Sequence, residues 1–277
     1  MKSQLVNFLV IATTTLLSGL SYGDEFDQAP PSFNYKNTKA VAVDFQRVEL
    51  MLSCSSRSTG YASVQFVAGD EGGYPMFDLV PSIVRAKLNS RDVDANLIPT
   101  VNDPDGVTKL RVLEAHVEAG SSNRLEIWFD ASYMRVEQGR CRQGFFMTDL
   151  GTGGRGFWEQ YAPASFEYDH FPMTLTFRVE GVQRSHEVFS NGQQTKLGEN
   201  SWEIQFPDYY TTSSFFLHVS DKGRFDVQRG TFQGVNGAIP VVAYAASRDL
   251  STKGLSRSLS ILAELEDTFG PYAHSSL

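Results

Sequence analysis

The sequence predicts a mainly β protein: an antiparallel β-sandwich or open saddle of about a dozen strands, closed by one C-terminal amphipathic helix. Three observations carry this. Apolar residues alternate with polar ones in short runs, as in Met173, Leu175, Phe177 and Val179 against Thr174, Thr176 and Arg178, which is the period of a half-buried strand. Turn material separates the runs, at Gly69-Asp70-Glu71-Gly72-Gly73, at Asn102-Asp103-Pro104-Asp105-Gly106 and at Asn191-Gly192. Only Leu255, Leu259, Leu262, Leu265 and Phe269 keep helical spacing over any length, and Gly270-Pro271 stops them.

Taken in order, residues 1–23 read as a signal peptide. Lys2 opens it, Leu5 to Leu20 is mostly apolar, and Ser21-Tyr22-Gly23 is a cleavage site before Asp24. A membrane anchor is the alternative, disfavoured by a short apolar part with no basic flank after it. The expected product is exported, periplasmic or secreted, with no membrane span after cleavage. Residues 24–38 form a polar leader without a period. From Lys39 the chain turns strand-like: Val41, Val43 and Phe45 alternate, and Val48, Leu50 and Leu52 resume after a one-residue slip at Gln46-Arg47. Such a slip predicts a bulge or bend. Further strands are expected at Tyr61–Ala68, Leu79–Leu88, Val107–Val117, Arg124–Asp130, Trp202–Phe206, Ser214–Val219 and Ala238–Ala246. The β domain is placed at 39–250 and the helix and tail at 251–277.

Bulk properties exclude some functions. The chain has 24 basic and 32 acidic side chains, a net charge of −8. Removing Lys2, the one charged residue of the expected signal peptide, leaves 23 against 32 and a net charge of −9. An acidic chain without a basic cluster argues against nucleic acid. The two cysteines, Cys54 and Cys141, suit one disulfide in an exported protein; two buried free thiols are the alternative.

Catalytic motifs fail on context. Gly151-Thr152-Gly153-Gly154-Arg155-Gly156 fits the dinucleotide-loop spacing, but Pro163 denies it the following helix, so it reads as a loop. His186-Glu187 opens like a zinc helix, yet Ser190 stands where the second histidine belongs. His116, His170, His186, His218 and His274 are scattered and read as surface or satisfied core residues. Asn102–Gly106 resembles the start of a calcium loop only loosely, since it lacks the spaced carboxylates and the closing Glu, so it reads as a turn. Two weaker sites stay open. Glu159, Glu167 and Asp169 are a local acidic cluster, of which Glu159 and Asp169 could serve as an acid–base pair. Trp158, within the ring-rich stretch Gly156–Phe177, offers a face for a sugar.

Several stretches together resemble the N-terminal β-saddle domain of the aminopeptidase N-like zinc metallopeptidases (gluzincins). They are Phe157–Pro163 with Phe166-Glu167-Tyr168-Asp169 and Met173–Val179, then Phe189-Ser190-Asn191-Gly192, then Trp202–Phe206 with Ser213–Val219. Pro240–Ala245, Lys253-Gly254 and Ile261–Phe269 with Gly270-Pro271-Tyr272 are similar to that domain's exit strand and the first helix of the peptidase domain. Two departures mark a divergent branch. Phe166-Glu167-Tyr168-Asp169 replaces a Phe-Pro-x-Phe-Asp core, and Tyr209-Tyr210-Thr211-Thr212 stands where a Pro-Met is usual. The resemblance implies a non-catalytic domain that docks on a peptidase domain and shapes its cleft. The docking face is then the stripe Leu255, Leu259, Leu262, Leu265 and Phe269. The family's Gly-x-Met-Glu-Asn segment and two-histidine zinc helix do not occur here, so no catalytic or metal residue carries over. Zinc is implied only if a peptidase domain is supplied elsewhere. The alternative is an exported stand-alone binding module for a glycan or a protein.

Overall fold

A computed structural model describes residues 32–102, 109–141, 143–146, 149–150, 157–158, 162–165, 170–210 and 215–272. Residues 1–23, expected to be a signal peptide, most of the expected leader, the Asn102–Gly106 turn beyond Asn102, the Gly151–Gly156 loop, Glu159, Glu167, Asp169 and His274 lie outside these residues.

Eleven strands of five or more residues carry the architecture. They are β1 (Val43–Cys54), β2 (Thr59–Ala68), β3 (Ile83–Leu88), β4 (Ser122–Asp130), β5 (Met173–Val179) and β6 (His186–Ser190). There follow β7 (Gln193–Gly198), β8 (Ser201–Phe206), β9 (Phe216–Asp221), β10 (Asp226–Gly234), β11 (Gly237–Ala245) and the helix α1 (Arg248–Phe269). Shorter strands of two to four residues fill the spaces between them. The mainly β fold with one terminal helix is thus as the sequence predicts.

An eight-stranded sheet runs β7-β8-β5-β1-β2-β4-β3 and ends on Arg91–Val93. Its centre shows why the sequence folds this way. In β1, Val43, Phe45, Val48, Leu50, Leu52 and Cys54 are buried while the residues between them face outward. The register against β2 slips between Phe45 and Arg47, so the skipped residue at Gln46-Arg47 is a β-bulge. Without it, Val48, Leu50 and Leu52 would turn to solvent, because strand side chains alternate. β5 buries Met173, Leu175, Phe177 and Val179, and pairs antiparallel with β8. Its other neighbour, β1, runs parallel to it. A second parallel pair joins Thr38–Val41 to Tyr74–Phe77, so the sheets are mixed rather than purely antiparallel.

A five-stranded sheet begins inside the expected leader, where Phe33–Tyr35 pairs with Thr38–Val41 across a tight turn at Lys36. The Tyr35 hydroxyl donates to Glu114 at 2.8 Å, and Lys36 bonds the same carboxylate. These bonds, Lys36 first, hold the Glu114 carboxyl below its ordinary range. A three-stranded sheet of Gln143–Phe146, β9 and β6 shares one contiguous core with the large sheet, through Val188, Leu217 and Val219.

The link from β6 to β7 departs from expectation. Asn191-Gly192 predicts a hairpin, but β6 pairs with β9 and β7 with β8, so the dipeptide carries the chain from one sheet to the other. Asn191 accepts from the Phe216 amide at 3.0 Å through its side chain, and from the Tyr210 hydroxyl at 3.1 Å through its carbonyl. Gly192 is needed for close approach. A Cβ there would lie 2.6 Å from Ile204 and 3.0 Å from the Gln205 carbonyl.

Cys54, at the end of β1, is bonded to Cys141 across 87 residues, and both are fully buried. Beside them His186 is a satisfied core residue. It accepts from the Cys141 amide at 3.1 Å through Nε2 and donates through Nδ1 to the Arg184 carbonyl at 3.0 Å.

Candidate functional site

The end of the chain builds a unit of its own. β10 and β11 form a hairpin in continuous register from Asp226 opposite Ala245 to Gly234 opposite Gly237. Alternate residues of the hairpin face α1. A Cβ on Gly230 would lie 3.1 Å from Leu255, so glycine there lets the leucine seat on the strand. Polar bonds fix both ends of the helix. Ser251 donates to Asp226 at 2.6 Å near the base of the hairpin, and Glu266 accepts from the Val235 amide at 3.0 Å at its tip. The Ser251 bond, with one from Gln228, holds the Asp226 carboxyl below its ordinary range. Ser247 caps the helix start, Asp249 in the first turn suits its positive end, and Gly270, at a φ of 93°, ends it.

This packing redistributes the expected docking stripe. Leu262 is 1% exposed, and Leu255 and Leu259 are half-buried. Leu255 and Leu262 are used within the chain rather than offered to a partner, which corrects the expectation for them. The physical reason is that β10 and β11 cover the face they occupy. Leu265 and Phe269 stay open, Phe269 at 81% exposure, and are joined by Leu250 and Ile261 on an outer flank that the stripe did not include. At 100° per residue Leu250, Ile261 and Leu265 lie within about 60° of one another beside the packed face, so they form an apolar flank, while the side opposite the hairpin carries Lys253, Ser260, Glu264 and Asp267.

The far face of the hairpin joins the rest of the chain through aromatic rings. Tyr244 stacks on Phe189 with centroids 4.0 Å apart. His218 meets Phe189, Phe225 and Tyr244 edge-on at 6.2, 5.4 and 5.5 Å. Burial first, and Arg224 second, push the His218 imidazole below its ordinary value. A group lowered in the folded state stabilises above its unfolded value and loses that contribution as pH falls through the folded one. Amide protection factors in β10 and β11, corrected for the intrinsic pH dependence of exchange, are therefore expected to fall as pH drops below the ordinary imidazole value of 6.5, and His218→Phe should flatten that dependence. Equal acid sensitivity in the variant would show that His218 is not the group responsible.

The other sequence candidates are dispersed. Phe157–Trp158 pairs with Asp149–Leu150, while Glu159 and Asp169 lie outside the described residues, so the acid–base pair receives no geometry. His116 and His170 are exposed and His186 is buried. Among the described residues no three histidine, cysteine, aspartate or glutamate side chains gather as a metal site. No described helix is long and apolar enough to cross a membrane.

Neither a family model nor a curated protein matches the sequence. Solved structures do match the fold. A zinc metallopeptidase of the M1 class from Deinococcus radiodurans superposes with a TM-score of 0.55 at 18% identity, over 85% of this chain and 55% of that one. A two-domain M1 zinc metallopeptidase variant bound to L-arginine gives the same TM-score, identity and coverage. Legionella pneumophila aminopeptidase A, in complex with aspartic acid, gives 0.57 at 12% identity, over 88% of this chain and 29% of that one. The chain therefore shares a fold with part of these enzymes and spans about half or less of their length.

Proposed function

We propose that this chain is the non-catalytic N-terminal domain of an aminopeptidase N-like zinc metallopeptidase. It docks on a peptidase-type domain and shapes one wall of that domain's cleft. The observation that carries this is the fold match, which takes in 85% of this chain but only 55% of the two-domain enzyme. The outward residues of α1 support it. Leu250, Ile261, Leu265 and Phe269 leave a flank of exposed apolar surface along the helix. Removing such side chains from water contributes about 1.5–3 kcal/mol each when burial is complete, so even partial coverage favours association. Hydrolysis and zinc then belong to the partner domain, where three protein ligands hold the ion and activate a water.

The recombinant chain alone is expected to copurify with no stoichiometric zinc and to leave aminoacyl anilides intact. Turnover by the chain alone, abolished by a chelator, would sink the proposal.

A further inference from the structure

A cleft of about 630 Å³ separates the far face of the β10–β11 hairpin from the β6–β7 crossing. The stacked rings of Phe189 and Tyr244 form part of its lining, with Pro240 and Val242 beside them. Gln193 and Gln194, the first residues of β7, line the opposite wall. Two features bear on what fills it.

The first is the backbone of β7. It is the last strand of the eight-stranded sheet, with β8 on one side and no strand on the other among the described residues. All six of its residues are exposed. Such an edge carries outward N–H and C=O groups that an extended chain can pair with.

The second is charge. Arg229 lines the cleft, stands opposite Val242 in the hairpin register, is exposed, and makes no ion pair among the described residues. It is the one charged side chain among the described residues that line the cleft, with no carboxylate beside it in that lining. The complement of an apolar slot, an open strand edge and one uncompensated guanidinium is an extended peptide bearing a carboxylate.

We propose that the cleft binds such a peptide. The peptide adds to β7 through its main chain, lays an apolar side chain against Val242 and Tyr244, and presents its carboxylate to Arg229. This is strand addition, in which main-chain bonds supply affinity and the pocket supplies selectivity. It requires neither zinc nor a peptidase domain, so it stands or falls separately from the function proposed above.

The test titrates the full chain into fluorescein-labelled Val-Thr-Val-Thr-Val with a free C-terminal carboxylate and follows polarisation. Saturable binding is expected. It should weaken at least fivefold for the C-terminal amide and for Arg229→Gln, and vanish for a peptide N-methylated at alternate residues. Arg229 is exposed, so the variant should keep the thermal midpoint of the parent. No saturable binding, or equal binding of the amide, overturns the proposal. Equal binding of the methylated peptide overturns the strand-addition geometry. If decanoate binds in an Arg229-dependent way and the peptide does not, the occupant is a lipid-type anion and the proposal also fails.

Discussion

Replacing Cys54 and Cys141 together with serine is expected to lower stability by about 2–4 kcal/mol, or the thermal midpoint by roughly 5–15 °C. The bond closes a loop of 87 residues, long enough for its loss to free much conformational entropy in the unfolded chain. It also ties a central strand of the large sheet, β1, to the short Arg140–Cys141 strand. Both cysteines are fully buried, so the serine hydroxyls would need partners that an apolar core does not offer. Urea and thermal unfolding with and without reductant check this. Coincident curves for the parent and the double variant would mean that the bond contributes nothing.

Leu262→Ala is expected to cost about 2–5 kcal/mol, the usual range for removing a buried leucine. The loss should be local. α1 touches the hairpin through one face, so a cavity beneath Leu262 releases the helix before it disturbs the eight-stranded sheet. Amide exchange along α1, β10 and β11 should rise while β1, β2 and β5 keep their protection. Phe269→Ser is the contrast. At 81% exposure its removal should change stability by no more than about 0.5 kcal/mol. A large effect of Phe269→Ser on the isolated chain would mean that its ring is packed rather than offered outward.

Much of this was readable from residues alone. The alternation at Met173–Val179 became a central strand, the slip at Gln46-Arg47 became a bulge, and Gly270-Pro271 ended the helix. These are local signals: side-chain period and backbone permission act within a few residues. What the sequence withheld depends on partners far along the chain. Nothing in Met173–Val179 states that its neighbour is β1, some 120 residues earlier, or that the pair is parallel.

The two Asn-Gly dipeptides show the same limit. Asn191-Gly192 reads as a hairpin but joins two sheets, because Asn191 is claimed by Phe216 and Tyr210 and Gly192 packs on Ile204. Asn236-Gly237 closes the real terminal hairpin, with Gly237 at a φ of 129°. β10 escaped notice because it is polar, with only one face packed and glycines at 230 and 234 where the helix approaches. For that reason the leucine stripe of α1 looked free when a strand already covered it. Arg229 gave no sequence signal either, since a lone arginine on a polar strand becomes informative only once its neighbours prove not to be acidic.

The central claim, that this domain completes a zinc peptidase, is tested most directly on the protein purified natively from the cells that make it, by measuring mass and bound zinc on the same sample. The account predicts a species well above 30.8 kDa that carries one zinc per copy of this domain and cleaves aminoacyl anilides until the metal is chelated. A zinc-free, inactive species of no more than about that mass would contradict it.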